Sequence, residues 1–168
     1  MIITGRSTSL ARQLARNIAR AAPGESFEVL ELQSPWAYGE NFRHRPAGAL
    51  MEAFRDWQLS AGATSQGRKG LYHASVSPQP GYAGTMTAGQ WLRAADILGE
   101  ELGLQGQERA LVLRQAENRA YLHAVWARTN LDTWKLIPDS FNYKAHERAS
   151  RRIEEEFGHP PVHRKGTS

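Results

Sequence analysis

The sequence predicts an α+β fold, a single domain in which helices flank a central antiparallel sheet. Helix-like and strand-like periodicities are interspersed along the 168 residues, so both kinds of element contribute to one core. The best-defined pair of strands, 109–114 and 119–128, is separated by a short turn and therefore predicts an antiparallel hairpin. Neither an internal repeat nor a low-complexity linker divides the chain. We expect one domain at residues 1–158 and a flexible C-terminal tail at 159–168.

The first half of the chain alternates strands and helices. Pro23 and Gly24 end the first helix, because proline lacks the N–H that a continuing helix needs. The stretch 27–32 alternates imperfectly but is β-like. The predicted elements of this half are, in order, an edge strand at 1–4, a helix from an N-cap at Ser7 or Ser9 to Ala21, a strand at 27–32, a loop at 34–46, a helix at 47–62 and a strand at 71–77.

The second half has clearer helix boundaries. Thr87 is a favourable N-cap and Gly103 a favourable C-cap, so a helix is expected between them. Gly158 ends the last helix in the same way. The predicted elements of this half are, in order, a loop at 79–84, a helix at 88–102, strands at 109–114 and 119–128, an extended piece at 134–137 and a closing helix at 142–157.

Basic residues form a stripe on the first predicted helix. The chain carries a formal net charge of +4, and its first 24 residues contain arginines but no acid. Arg12, Arg16 and Arg20 recur every four residues, so they share one helix face beside the apolar stripe. Two interpretations are open here: a solvated helix face, or a row of guanidinium groups that contacts nucleic-acid phosphates.

The closing helix carries a second basic face. Lys144, Arg148, Arg151 and Arg152 lie within about 100° of one another around the helix axis. Glutamates on the same helix are spaced to pair with some of these cations. The face therefore either pairs its charges within the helix or follows a phosphate backbone, and we include it among the candidate nucleic-acid contacts.

Composition excludes several kinds of site. The chain has no cysteine, which rules out disulfides, thiolate-bound zinc and thiol nucleophiles. Any metal must therefore be held by His, Asp or Glu. No apolar stretch approaches the ~20 residues of a membrane span, and the N-terminus lacks the pattern of a secretory signal. We expect a cytoplasmic protein.

Between Gly70 and Gly158 the order of segments is similar to that of a known family. A strand ends at Ser77-Pro78, a helix follows and ends in the step Gly103-Leu104, a hairpin comes next, and the late helix ends in a Glu-rich turn with Phe157-Gly158. This arrangement resembles the relaxase/mobilisation nuclease domains of the HUH endonuclease superfamily. The resemblance implies an antiparallel central sheet flanked by helices, recognition of single-stranded DNA at a transfer origin, and nicking of one strand.

The resemblance also implies a metal site on the hairpin. In the family three histidines hold a divalent cation, one on the first strand and two on the second, and residues i and i+2 of a strand point to the same face. The corresponding positions here are Arg114, Tyr121 and His123. A guanidinium cannot bind a cation and a neutral phenol is a poor ligand, so we expect no metal, with Mg²⁺ or Mn²⁺ as the alternative cofactor. Arg114 can instead pair with a phosphate oxygen.

The nucleophile implied by the resemblance is also altered. Relaxases carry it near the N-terminus, but the first helix here has neither Tyr nor His. Tyr38, and after it His44, are the nearby candidates in the following loop, and the other interpretation of Tyr38 is a loop aromatic packed beside Trp36. His73 is a candidate partner of His123 in a rearranged pair of metal ligands. The alternative is a histidine whose hydrogen bonds are satisfied within the fold.

These observations predict a relaxase-like DNA-binding domain, linked to plasmid mobilisation or conjugation, that lacks metal-dependent nicking. The DNA contacts are assigned to Arg114, Arg119, Tyr121 and the two basic helix faces. One alternative is an active single-strand nickase or strand transferase that uses catalytic His123 with Tyr38. The other is a protein-docking module of a conjugation or secretion apparatus. Expected partners are single-stranded or origin DNA and, secondarily, proteins of such an apparatus.

Overall fold

A computed structural model describes residues 1–34, 45–65 and 67–162. Over these residues the fold consists of one five-stranded sheet, a small two-stranded ribbon and four α-helices. The elements are, in chain order, β1 (Ile2–Thr8), α1 (Ala11–Ile18), β2 (Ser26–Leu32), α2 (Pro46–Gly62), β3 (Leu71–Ser77), a 3-10 turn (Ala83–Thr85), α3 (Ala88–Leu102), β4 (Arg109–Ala116), β5 (Arg119–Ala127), β6 (Thr129–Asn130), β7 (Lys135–Leu136) and α4 (Asn142–Phe157).

Every pairing in the main sheet is antiparallel. Its strand order is β1-β3-β5-β4-β2, so the hairpin strands β5 and β4 lie at and beside the centre. β6 and β7 form the separate ribbon. The α+β prediction and the predicted hairpin are confirmed. None of the helices within the described ranges is both long and apolar enough to cross a membrane.

The two faces of the sheet are covered by different helices. Strand side chains alternate between faces, and Trp126 packs with Trp91 of α3 and Ile153 of α4 on one side. Val125 packs on the other side with Ile18 of α1 and residues of α2. The basic stripe of α1 and the basic face of α4 therefore belong to opposite layers of the molecule.

The first strand is longer than predicted and the first helix begins later. β1 continues to Thr8 because all seven of its residues pair with β3. Ser7 is buried within this strand, where its hydroxyl donates to Asp139 at 2.6 Å. Ser7 therefore does not cap the first helix, and the prediction is wrong for Ser9 too, because the N-cap position is Leu10. The long-range pairing with β3 outweighs the local capping preference of serine.

The first helix also ends early, at Ile18 rather than Ala21. The backbone oxygens of Asn17 and Ile18 accept hydrogen bonds from the Arg114 side chain, at 2.9 and 3.4 Å. These are among the last carbonyls of a helix, which have no intrahelical partner. A residue far along the chain thus satisfies the end of α1.

Boundaries in the second half follow the predicted signals. Thr87 and Gln90 form a reciprocal capping box at the start of α3, and Gly103 takes the left-handed conformation at its end, with φ of 73°. Beyond α4 the backbone N–H groups of His159 and Val162 both bind Glu154. The start of the predicted tail is therefore hydrogen-bonded to α4, and residues 163–168 lie outside the described part of the chain.

Candidate functional site

Two histidines from neighbouring strands meet on the sheet face covered by α1 and α2. His73 lies on β3 and His123 on β5, and in the register of these strands Ser75 stands opposite His123 and His73 opposite Val125. His73 Nε2 lies 2.9 Å from His123 Nδ1. The two rings stack with their centroids 5.1 Å apart. One imidazole must donate its N–H to the other.

Burial keeps both imidazoles neutral. Burial away from solvent, together with the positive charge of Arg6, lowers the pKa of His73 from 6.5 to about 4. Loss of solvent, with His73 and Arg114 nearby, lowers the pKa of His123 to about 3. His123 Nε2 is buried and has no hydrogen-bond partner among the described residues. At neutral pH the pair is a neutral donor–acceptor pair with one unused polar atom.

Arg114 lies on the same face but is bound to the end of α1. Its Nη2 donates to the carbonyls of Asn17 and Ile18, and its Nη1 lies 3.2 Å from the Tyr121 hydroxyl. Its Nε is 3.8 Å from a Glu25 carboxylate oxygen, too long for a hydrogen bond. The side chain is only 13% exposed. A guanidinium at the negative end of a helix is electrostatically favourable, so Arg114 acts as a C-terminal cap of α1.

Tyr121 joins the arginines to the histidine pair. Its ring meets the edge of His123 at 5.2 Å between centroids. The guanidinium groups of Arg114 and Arg119 each lie 6.0 Å from the centre of the same ring. Arg119 itself is exposed at the start of β5. The structure therefore brings Arg114, Tyr121 and His123 together on one face, as the spacing of the hairpin strands predicts.

This donor set does not fit the three-histidine metal site of the resemblance. His123 and His73 are the nearby nitrogen donors, and Arg114 places a permanent positive charge beside them. In the part of the chain that the structure describes, no group of three His, Asp or Glu side chains is arranged to hold a metal ion. Tyr38 and His44, the candidate nucleophiles, lie outside the described residues.

The basic stripe of α1 is exposed. Arg12, Arg16 and Arg20 lie on the solvent side of the helix segment, and none of them forms an ion pair with another described residue. An open groove runs between α1 and α2 beside them, and Arg55 of α2 lines it too. Sequence reasoning missed Arg55, because its position on α2 carries no signal of which helix packs against it.

Two of the four cations predicted on α4 are bound by the neighbouring helix. Arg148 binds Glu101 of α3 at 2.8 Å. Arg152 binds Glu100 at 2.9 Å and Glu101 at 3.2 Å. These pairs join α3 to α4, whereas the sequence suggested pairing along α4 itself. The guanidinium groups of Arg148 and Arg152 are already used in the fold.

The other two cations of α4 are exposed. Lys144 lies over the ring of Phe141, 5.6 Å from its centre. Arg151 has no ion-pair partner within the described ranges. Both are on the face of the sheet opposite to α1, so the two basic helix faces do not form one continuous surface.

Comparison with known proteins agrees with this architecture. The family model "Relaxase: MobA/VirD2-like, nuclease domain" matches residues 35–159, a range that includes α2, strands β3 to β5 and both helices of the other layer. No curated protein matches the chain. The chain therefore belongs to the MobA/VirD2-like relaxase nuclease-domain family, a family that processes DNA in mobilisation.

Proposed function

We propose that this chain is a relaxase-like domain that binds single-stranded or origin DNA during plasmid mobilisation or conjugation and does not carry out metal-dependent nicking. The observation that supports the proposal is the position of Arg114. It stands where the resemblance puts the first metal histidine, and it holds the C-terminal carbonyls of α1.

The electrostatics at this position oppose a divalent cation. Arg114 places a guanidinium cation at this position, and a charge of the same sign near a cation site weakens binding. The Tyr121 hydroxyl oxygen accepts a hydrogen bond from Arg114. His73 and His123 are bound to each other, so a metal would first have to break that contact. The side chains at this position therefore already bind one another or the end of α1.

DNA binding has separate support. The family processes DNA, and the chain keeps a net charge of +4. The arginines of α1 are exposed, so their charge is available to a polyanion. Loss of the metal histidines does not remove these contacts, because they lie on a different element from β4 and β5.

Calorimetric titration with Mn²⁺ tests the loss of the metal site directly. The wild-type chain is expected to show no binding, whereas the double variant Arg114→His/Tyr121→His, which restores the three histidines, is expected to gain it. This readout does not depend on knowing the DNA sequence that the domain recognises. Circular dichroism of the variant checks that α1 keeps its structure without its cap.

Incubation with single-stranded oligonucleotides and Mn²⁺ or Mg²⁺ tests the activity itself. We expect intact DNA on a denaturing gel and no covalent protein–DNA adduct on an SDS gel. Cleavage that EDTA abolishes would refute the proposal. An adduct that disappears in Tyr38→Phe would instead support the nickase, and failure to bind any oligonucleotide at low salt would favour the protein-docking module.

A further inference from the structure

The strongest unassigned feature is the groove between α1 and α2. It is open to solvent and has a volume of about 1070 Å³. Arginines line both of its sides, three from the α1 segment and one from α2. They are Arg12, Arg16, Arg20 and Arg55. No acidic or aromatic side chain is among the described residues that line it.

The charges in this groove are largely uncompensated. Arg55 has one carboxylate neighbour, Glu52, at 4.0 Å, and both side chains are well exposed. An exposed pair of this kind contributes little. Arg12 and Arg16 of α1, and Arg20 just beyond its end, form no ion pair with another described residue. In contrast, Arg148 and Arg152 of α4 are bound to glutamates of α3. Within the described ranges, the groove therefore brings together four arginines whose charge is not matched by a strong ion pair.

The spacing of the arginines suits a nucleic-acid backbone. Residues four apart on a helix are separated by about 6 Å along its axis, so Arg12 and Arg16 of α1 lie roughly 6 Å apart, and Arg20 follows just beyond the end of the helix. One DNA strand rises about 3.4 Å per nucleotide in the duplex. The spacing of Arg12 and Arg16 therefore corresponds to about two nucleotides, and Arg20 and Arg55 line the same groove.

The shape of the groove favours one strand over two. Cationic walls on both sides of a concave groove enclose a single backbone, whereas the phosphates of a duplex lie on a convex surface. Leu10, which is 57% exposed, and Met51 add apolar surface to the lining. They can contact sugars. Since the described lining has no aromatic platform, base stacking does not contribute there.

The geometry points to the α1–α2 groove as a binding site for the sugar–phosphate backbone of single-stranded DNA, held by Arg12, Arg16, Arg20 and Arg55 without base readout. This inference rests on the proposed function as a DNA-binding domain. It assigns DNA binding to the layer formed by α1 and α2, and it predicts that α4 does not contact the DNA. It also predicts affinity that is independent of sequence and strongly dependent on salt.

Fluorescence anisotropy of a labelled oligo(dT) with the full chain, over a series of NaCl concentrations, tests this assignment. For four phosphate contacts the plot of log K against log[NaCl] should have a slope of about −3. Arg12→Gln, Arg16→Gln and Arg55→Gln should each make it shallower by about 0.7 and weaken binding severalfold. Arg16→Lys should keep the slope. Arg151→Gln, which removes an exposed arginine of α4, is the matched control and should change neither quantity.

The outcomes separate this inference from the proposed function. Unchanged slopes in the three groove variants, or an equal loss in Arg151→Gln, would overturn the groove while DNA binding stands. Tighter binding of a duplex of the same length would overturn the single-strand assignment. Metal-dependent nicking by the wild type would overturn the proposed function and leave the groove in place. Absence of any binding by the wild type would overturn both.

Discussion

Replacing Arg114 by methionine should destabilise the fold through the end of α1. Methionine keeps much of the aliphatic stem and removes the guanidinium, so the change isolates the polar contacts. Those contacts are hydrogen bonds to the carbonyls of Asn17 and Ile18 and the contact with the Tyr121 hydroxyl. The Ile18 carbonyl then becomes a partly buried acceptor that has lost its donor, whereas the Asn17 carbonyl is exposed and can bind water.

The expected magnitude follows from these contacts. Hydrogen bonds that involve a charged group contribute about 1.5–3 kcal/mol, and a cation at a helix C-terminus adds about 0.3–1 kcal/mol at the surface. The 13% exposure of Arg114 argues against complete screening by solvent. We expect Arg114→Met to lower the free energy of unfolding by about 2–3 kcal/mol.

Urea unfolding, followed by tryptophan fluorescence, measures this loss as a lower midpoint with an unchanged m-value. Hydrogen exchange should show faster exchange at the end of α1. Arg119→Met is the matched control, because Arg119 lies at the same 6.0 Å from the Tyr121 ring and is exposed. It should change stability by less than about 0.5 kcal/mol.

A different result would reverse the interpretation of Arg114. If Arg114→Met unfolded like the wild type and lost as much DNA affinity as the groove variants, the guanidinium would be a phosphate ligand, as the sequence suggested. Our reasoning from the α1 carbonyls would then be refuted.

Stability should also depend on pH and on two glycines. The pKa values of His73 and His123 fall from 6.5 to about 4 and about 3 on folding. The unfolded state therefore binds more protons than the folded state. The stabilisation is complete above about pH 6.5 and is lost as the pH falls below that value. From about pH 7 to about pH 5 the free energy of unfolding should drop by about 3–4 kcal/mol; equal pH dependence in His73→Gln/His123→Gln would contradict this. Gly70→Ala places a methyl group 2.6 Å from the Ala61 Cβ and should cost about 1–3 kcal/mol in urea unfolding. Gly62→Ala meets no atom within 4 Å and should be neutral or stabilising; similar losses in both variants would show that backbone effects dominate.

Local signals in the sequence were sufficient to predict the fold class and the part of the site that lies on the β4–β5 hairpin. The hairpin of β4 and β5 follows from two apolar stretches joined by a short turn. The period of two in a strand then places Tyr121 and His123 on one face, beside Arg114 of the paired strand. The caps Thr87 and Gly103 set the ends of α3 because capping depends on residues next to the helix.

The tertiary structure decided what those residues touch. β3 pairs with β5, which brings His73 to His123 across a separation of 50 residues. Arg114 binds the end of α1 although Asn17 is 97 residues away along the chain. Helix packing decided that Arg55 joins the arginines of α1. Spacing within one element predicts which side chains share a face, but the partner of that face is selected by burial and pairing over the whole chain, and these leave no local pattern.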